Sequence, residues 1–490
     1  MTLQQPVTVP PPVCAPEADI VLVVDLDGTL CRTDTLHEAL LALVARSPAT
    51  LAYLPGWLAA GRAEFKARIA AVELLDPTML PLDEVVVETL RAARAGGRRT
   101  ALVSAADIRQ VEAVAAATGL FDEVHGSAGG RNLKGPEKAA FLTERYGKKG
   151  FDYIGDARAD LPVWTAARKA ITVRAAPALR RAAETANTDT VHISPPQDRA
   201  RAAVRAMRPH QWSKNLLLLL PPLAAHDPSG LPTALAGFVA FCLVASSVYV
   251  INDLFDLASD RAHPRKCRRS FASGALSGFD GLRLAVLLLT SGFVIGLLTT
   301  PRLFLLVLAT YFAATLAYSL WLKRKLVVDV ITLAGLYSIR LIAGGVAAAV
   351  VLSPWMLGFS MFLFLALAAV KRQAELTDQL TTGRMSAGRA YEPEDLPVLR
   401  GLALSAANAA VLVLALYISS NEVQTLYNRP EILWLICPIL LYWLVRMVMK
   451  THRGLMNDDP IVYATSDAVS MVLIAAAGVV AIASAVVPPS

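Results

Sequence analysis

The chain has 490 residues, of which 55% are hydrophobic, and it carries a formal net charge of +7. So apolar a composition excludes a wholly soluble protein. The positive charge does not indicate nucleic-acid binding, because beyond Arg208 the basic residues cluster in short segments between apolar runs, as membrane topology requires. The five cysteines are scattered and lack any Cys-x-x-Cys spacing, which argues against a disulfide framework and a zinc site.

The chain begins with a Pro-rich stretch, MTLQQPVTVPPPVCAPEAD, that has neither a basic start nor an apolar core. We therefore expect residues 1–18 to be a disordered lead rather than a signal peptide, and the domain that follows to be cytoplasmic. Composition is Ala/Arg/Asp-rich over 19–195, whereas long Leu/Val/Ala runs dominate over 214–490. This contrast predicts a soluble domain and a membrane domain, joined by a basic linker over 196–213.

The soluble domain opens with DIVLVVDLDGTL, an apolar strand followed at once by Asp25, Asp27 and a Gly-Thr turn. In a doubly wound sheet the chemistry lies at the carboxyl ends of the strands, so we expect later strand ends to complete this site. The candidates are Ser104 from RRTALVSA, Lys134 from NLKGPEKAAF, and Asp156 and Asp160 from FDYIGDARAD.

These four motifs, in this order, resemble the haloacid dehalogenase phosphatase superfamily over about residues 19–190. The resemblance implies an α/β Rossmann-like domain with a helical cap over about 35–95. It implies a nucleophile, Asp25, and an acid/base, Asp27. It also implies that Ser104 and Lys134 bind the phosphoryl group, with Lys138 as the alternative to Lys134. Mg²⁺ would be bound by Asp25, Asp27 and Asp156, and Asp160 would support these ligands.

The linker, QDRARAAVRAMRPHQWSKN, places four arginines among alanines and ends near Trp212. This pattern predicts an interfacial helix on anionic lipid, although an ordinary charged linker fits it nearly as well.

Beyond residue 213, nine apolar runs approach the length of roughly 17 to 25 residues that a bilayer-spanning helix requires. The first is short and contains Pro221 and Pro222, which predicts a kinked or interfacial segment. The predicted spans are 214–227, 232–251, 281–299, 303–320, 328–350, 354–372, 402–420, 430–449 and 468–487.

The connections after the even-numbered spans carry 15 Lys and Arg residues, whereas those after the odd-numbered spans carry only Arg302 and Arg429. The positive-inside rule then places the even connections and residues 1–213 in the cytoplasm. We expect a multi-pass protein of the cell (inner) membrane with a cytoplasmic N-terminal domain.

The second predicted span ends in YVINDLFDLASDRAHPRKCRRS, where Asp253, Asp256 and Asp260 fall at i, i+3 and i+7 on one helical face beside Asn252. Three carboxylates at the end of an apolar helix repel one another, so a divalent cation is expected among them. Mg²⁺ prefers such oxygen ligands and shares them with substrate phosphates. Basic residues that follow, among them Lys266 and Arg269, are candidates to bind a diphosphate.

This motif, in a chain of about nine spans, resembles the UbiA-type prenyltransferase superfamily over most of 208–490. The resemblance implies an all-α polytopic domain that holds a diphosphate through Mg²⁺. Quinone-making members usually have paired aspartates in their second motif, whereas YSLWLKRKLVVDVITLAGLYSIR has Asp329 alone. Together with RPHQWSKN, SPWMLGFSMFLFLALAAVKRQAEL and NDDPIVYA, this departure is similar to the decaprenyl-phosphate phosphoribosyltransferase branch.

That branch implies transfer of 5-phosphoribose from 5-phosphoribosyl 1-diphosphate to a polyprenyl phosphate, within cell wall biosynthesis. Two phosphorylated substrates require extra positive charge, and Arg340 and Lys371 lie in or at the end of apolar spans, where an idle charge is costly. The cationic candidates for the substrate site are Lys214, Lys266, Arg269, Lys323, Arg340, Lys371 and Arg372, and the polar ones are Asn215, Asn252 and Asp329.

The two halves together suggest a bifunctional enzyme whose phosphatase removes the 5-phosphate of the lipid product. One alternative is an aromatic prenyltransferase of quinone biosynthesis with a regulatory domain. Another makes residues 1–190 a non-catalytic partner-binding module. Lipid chain length, metal number and oligomeric state do not follow from the sequence.

Overall fold

The computed structural model describes residues 19–129, 131–196, 198–226, 228–382, 390–456 and 459–488. The predicted lead over 1–18 lies outside these residues. Two compact units are present: the chain up to Ala206 together with Asp253–Arg283, and Met207–Asn252 together with the chain from Leu284 onward. The connection after the first long membrane helix thus packs with the soluble domain, which the linear division by composition did not predict.

The first unit is built on a six-stranded parallel sheet with strand order β3-β2-β1-β4-β5-β6. Its central strand β1, VLVV, is buried along its whole length, as in parallel sheets that helices cover on both faces. The predicted α/β fold is confirmed. The strands are β1 (Val21–Val24), β2 (Thr100–Asp107), β3 (Glu123–Ser127), β4 (Phe151–Gly155), β5 (Ala170–Thr172) and β6 (Thr190–His192).

Successive side chains of β1 point to opposite faces and enter different cores. Leu22 and Val24 pack with Leu102 on one face, whereas Val21 and Val23 pack with Trp164 on the other. The helices up to residue 207 are α1 (Thr35–Arg46), α2 (Leu54–Ala59), α3 (Arg62–Val72), α4 (Glu84–Ala95), α5 (Ile108–Thr118), α6 (Pro136–Tyr146), α7 (Leu161–Ala166), α8 (Pro177–Ala186) and α9 (Arg199–Met207).

Helices α1, α2 and α3 form the cap between β1 and β2. The predicted cap range of about 35–95 is too long, because Val86 and Leu90 of α4 pack in the same core as β1. Helix α4 therefore covers the sheet. The linker helix α9 buries Ala202 and Ala206 and leaves its arginines exposed, consistent with the predicted helix.

Among the described residues, eight helices are long and apolar enough to cross a membrane, rather than the nine predicted. The difference is the first predicted span, where a 3₁₀ stretch, Pro209–Leu219, leads into a five-residue helix containing Pro221 and Pro222. The helices from here on are α10 (Leu220–Ala224), α11 (Leu231–Phe255), α12 (Leu257–Ala262), α13 (Gly278–Thr299), α14 (Arg302–Leu320), α15 (Val328–Ala347), α16 (Pro354–Thr382), α17 (Leu396–Ile418), α18 (Asn421–Leu426), α19 (Ile436–His452), α20 (Pro460–Ser466) and α21 (Ala468–Val486).

The irregular stretch Pro209–Ala224 packs closely on α15 in the second unit. A Cβ added to Gly344 would lie 2.0 Å from the carbonyl oxygen of Leu218, so only glycine permits this approach. Helix α15 itself is buried along one side, where Leu333 and Tyr337 pack with Phe364 of α16. This packing brings polar side chains of the stretch beside those of α15.

Candidate active sites

The first candidate site lies at the carboxyl end of β1, which Asp25 follows directly. Lys138 Nζ of α6 lies 2.9 Å from Asp25 Oδ1 and donates a hydrogen bond of 2.9 Å to the Tyr153 hydroxyl. Burial opposes the charge of Lys138, but Asp25 and Asp160 outweigh it and raise the pKa of the lysine. A buried cation therefore faces the predicted nucleophile.

Lys134, the lysine predicted for this role, is exposed, and the reserve candidate Lys138 takes the position instead. The reason is the turn between them: Gly135 adopts a φ of +58°, and Pro136 begins α6. Lys138 then lies in the first turn of α6 and is 2% exposed.

Asp27 is held by the start of α1. The backbone N–H and the hydroxyl of Thr35 both donate to Asp27 Oδ1 at 2.8 Å. Burial, followed by the nearby carboxylate of Asp34, raises the pKa of Asp27 to about 8. The cap and the predicted acid/base are thus directly connected.

Asp25, Asp156 and Asp160 bring carboxylate oxygens within 4.8 Å of one another, as a divalent cation requires. Burial and the charge of Asp160 raise the pKa of Asp156 to about 7, so the carboxylates crowd one another. Gly28 makes the approach possible, since a Cβ there would lie 2.4 Å from Asp156 Oδ2. The donor set fits Mg²⁺, but it contains Asp160, predicted as support, and not Asp27, predicted as a ligand.

Ser104 is fully buried within β2, and its hydroxyl accepts a hydrogen bond of 3.0 Å from the Ala106 N–H. Lys66 of α3 reaches the same strand and donates to the Ala105 carbonyl at 2.6 Å and to Asn132 Oδ1 at 3.0 Å. Burial lowers the pKa of Lys66. A cap lysine therefore closes over the end of β2.

The second group of acids surrounds the end of α11. The helix ends at Phe255 and α12 begins at Leu257, so Asp253, Asp256 and Asp260 do not share the continuous helix that was predicted. Arg269 Nη1 lies 3.2 Å from Asp253 Oδ1 and 2.7 Å from Asp260 Oδ2. Both carboxylates are buried.

Carboxylate oxygens are the ligands that Mg²⁺ prefers, although Arg269 occupies one oxygen each of Asp253 and Asp260 here. Over the described residues, however, only the group around Asp25 meets the spacing of a three-acid metal cluster, so the three acids near α11 do not converge as tightly.

Asn252 Oδ1 is buried without a hydrogen-bond partner among the described residues. Lys266 is exposed and Lys323 is half-buried.

The second unit contains a third group, centred on Asp459. Its Oδ2 lies 2.6 Å from Lys214 Nζ and 3.2 Å from Lys371 Nζ, and it accepts a hydrogen bond of 3.0 Å from the Tyr337 hydroxyl. The Arg340 guanidinium lies over the ring of Tyr337, its Cζ 5.4 Å from the ring centre, and its Nε donates to Asn215 Oδ1 at 2.9 Å. Two predicted cations, Lys214 and Lys371, thus contact the Asp459 carboxylate, and a third, Arg340, lies against the tyrosine that donates to it.

Asp459 was not predicted as a site residue, although the NDDPIVYA motif contains it. Its side chain also accepts a hydrogen bond of 3.1 Å from the Ile461 N–H, at the start of α20. An acid before a proline at the start of a helix normally caps the helix. This ordinary role explained the residue, so nothing in the sequence indicated that Asp459 also pairs with Lys214 and Lys371.

Asp329 and Arg372, both predicted to bind substrate, pair with each other. Arg372 Nη2 lies 3.1 Å from Asp329 Oδ1, its Nε also contacts the carboxylate, and Tyr318 donates to the same Oδ1 at 2.8 Å. Both side chains are at most 1% exposed. The pair joins α15 to α16.

Comparisons with known proteins agree with both folds. The model of the UbiA prenyltransferase family matches residues 218–466, just over half of the chain, and that of haloacid dehalogenase-like hydrolases matches residues 22–165. The uncharacterized protein y4nM of Sinorhizobium fredii is 36% identical over 456 residues, which cover 92% of this chain and 88% of that protein.

Two further relatives match smaller parts. The nodulation protein NoeC of Azorhizobium caulinodans is 38% identical over 276 residues, 55% of this chain and 88% of its own. A decaprenyl-phosphate phosphoribosyltransferase of Mycolicibacterium smegmatis is 40% identical over 210 residues, 40% of this chain and 66% of its own.

Proposed function

The chain belongs to the UbiA prenyltransferase family, and we propose that its membrane domain transfers 5-phosphoribose from 5-phosphoribosyl 1-diphosphate to a polyprenyl phosphate. The observation that carries the proposal is the group of Lys214, Lys371 and Arg340 around Asp459. Among the residues that the structure describes, this group has three cations and one acid, so a bound anion would balance its charge. The relatives named decaprenyl-phosphate phosphoribosyltransferase support the same substrate pair.

In the proposed reaction a phosphate oxygen of the lipid attacks the anomeric carbon of the ribose. The bond from that carbon to the diphosphate breaks, and its electron pair leaves with the diphosphate. Asp253, Asp256 and Asp260 would hold Mg²⁺, which supplies positive charge to the leaving group when bound. No general base is required, because the attacking phosphate is already anionic at neutral pH.

We further propose that the soluble domain hydrolyses the 5-phosphate of the lipid product. Asp25 attacks the phosphorus, Asp27 gives its proton to the departing sugar oxygen, and Asp27 then removes a proton from the water that cleaves the aspartyl phosphate. Lys138, 2.9 Å from Asp25, would balance the charge of the phosphoryl oxygens. Asp25, Asp156 and Asp160 would hold Mg²⁺.

The proposed setting is the cell inner membrane with the phosphatase domain in the cytoplasm, where phosphoribosyl diphosphate is available. The lysine- and arginine-rich connections after α11, α14, α16 and α19 support this orientation.

The test is an assay of the purified full-length protein in vesicles with labelled phosphoribosyl diphosphate and polyprenyl phosphate. We expect label in the lipid fraction for the natural protein and none for Asp253→Asn. Asp25→Asn should transfer label normally but accumulate the lipid that retains the 5-phosphate. If label enters lipid only from an isoprenyl diphosphate with an aromatic acceptor, the transferase proposal is wrong.

A further inference from the structure

The cap contains a run, Ser47–Ala60, that has no acidic or basic residue and no histidine. Within it, Leu51, Tyr53 and Leu58 are 55%, 63% and 58% exposed, and each of the six residues of α2 is at least partly exposed. Single exposed apolar side chains are common on protein surfaces, but several within eight residues form a patch. We call Leu51–Ala60 the apolar cap segment.

The chemistry of this segment suits the boundary between lipid headgroups and acyl chains. Tyr53 and Trp57 are residues that membrane proteins place at that boundary, because each combines an apolar ring with a polar group. Arg46 and Arg62 flank the uncharged run, as cations flank the apolar part of interfacial segments.

The position of the segment within the first unit points to the same partner. A Cβ on Gly278 would lie 2.7 Å from Leu41 Cδ1 of α1, and the ring of His37 stacks on that of Phe279 at 5.7 Å. Gly278 begins the membrane helix α13. Helix α1 rises about 1.5 Å per residue, so Ser47 lies about 9 Å along the helix from Leu41. The uncharged run thus starts close to the point where a span enters the bilayer.

We propose that the apolar cap segment inserts into the interface of the bilayer that holds the membrane domain. The insertion would hold the cap, and with it the mouth of the Asp25 site, at the membrane surface. A second copy of the chain is a poorer occupant, because ten residues are far fewer than the roughly 20 to 30 that each partner of a stable dimer contributes. The inference requires only a membrane-embedded chain and does not depend on the proposed substrates.

The experiment uses the full-length chain in phosphatidylcholine and phosphatidylglycerol vesicles. A nitrobenzoxadiazole label is attached at Leu58→Cys in a chain carrying Cys14→Ser and Cys267→Ser, since Cys31, Cys242 and Cys437 are buried. The matched control is Lys148→Cys, an exposed residue just before β4 and therefore at the sheet edge opposite Asp25. Tyr53→Cys is a second probe. None of these side chains is buried, so labelling leaves the core intact.

Lipids that carry a nitroxide near the headgroup should quench the labels at Leu58 and Tyr53 at least about twice as strongly as the label at Lys148. Equal quenching at the three positions would overturn the proposal. It would also be overturned if quenching at Leu58 required several chains per vesicle and disappeared in nanodiscs that hold one chain, because the segment would then meet a second copy.

Discussion

At the scale of single residues, Lys138 provides the most direct test of the proposed phosphatase site. Replacing it by methionine removes the cation that touches Asp25, and loss of one such charge-stabilising group typically lowers turnover by about 10²–10³-fold. Lys134→Met is the matched control and should change turnover only slightly, because Lys134 is exposed. Release of phosphate from a soluble phosphomonoester measures both. A larger loss in Lys134→Met would contradict the assignment.

Glu38 and Arg261 form a buried ion pair whose partners are 223 positions apart. Arg261 Nη1 and Nη2 lie 2.7 Å and 2.5 Å from the two carboxylate oxygens of Glu38, and the side chains are 9% and 3% exposed. Glu38→Gln leaves the arginine charge buried without its counterion, which should destabilise the first unit by about 3 to 5 kcal/mol.

The control for this pair is Glu64→Gln, which breaks the exposed contact with Arg68 and should cost only about 0.3 to 0.5 kcal/mol. Thermal unfolding of the full-length protein in detergent compares the two variants. Similar melting temperatures would show that the Glu38 pair contributes little.

The sequence identified the acids that follow β1, β4 and the end of α11, but it missed Asp459 and did not show which basic residue pairs with which acid. Asp25 and Asp156 follow strands, so their convergence could be predicted from the parallel sheet alone. Whether Lys134 or Lys138 turns inward depends on the backbone at Gly135, and the pairing of Asp329 with Arg372 depends on how α15 packs on α16. Local patterns do not contain that information.

At the scale of elements, the stretch Pro209–Ala224 overlaps the first predicted span, 214–227, and we expect it to cross the membrane although it does not form one long helix. The Ser270 hydroxyl donates to the Ala202 carbonyl at 2.8 Å, so both residues lie on the same side of the membrane. Helix α11 crosses once between them, and a second crossing is therefore required. At about 2.0 Å per 3₁₀ residue and 1.5 Å per α residue, Pro209–Ala224 rises about 30 Å, the thickness of the hydrocarbon layer.

Cysteine accessibility in sealed vesicles tests this crossing. We expect Ser229→Cys, between the irregular stretch and α11, to react with an impermeant maleimide from the face opposite to Lys148→Cys. The background lacks Cys14 and Cys267, and detergent should make both positions reactive. Labelling of both from one face would mean that Pro209–Ala224 does not cross.

At the scale of the whole molecule, the two proposed reactions share a product that is itself a membrane lipid. Vesicles that contain both Asp25→Asn and Asp253→Asn chains should therefore form the dephosphorylated lipid, because the intermediate diffuses in the bilayer from one chain to another. Each variant alone should not form it from phosphoribosyl diphosphate. Chromatography of the labelled lipids distinguishes the products, and failure of the mixture would show that the intermediate stays with the chain that made it.

Because Asp253–Arg283 packs with the soluble domain, the folding of that domain depends on a membrane step that comes later in translation. Residues 19–206 leave the ribosome before Arg261 exists, so the carboxylate of Glu38 must wait for its counterion until α11 has been made and inserted. The first unit can reach its final stability only after the first long helix has been inserted into the membrane. A nascent chain that fails to insert α11 would therefore expose an incompletely stabilised first unit to proteases.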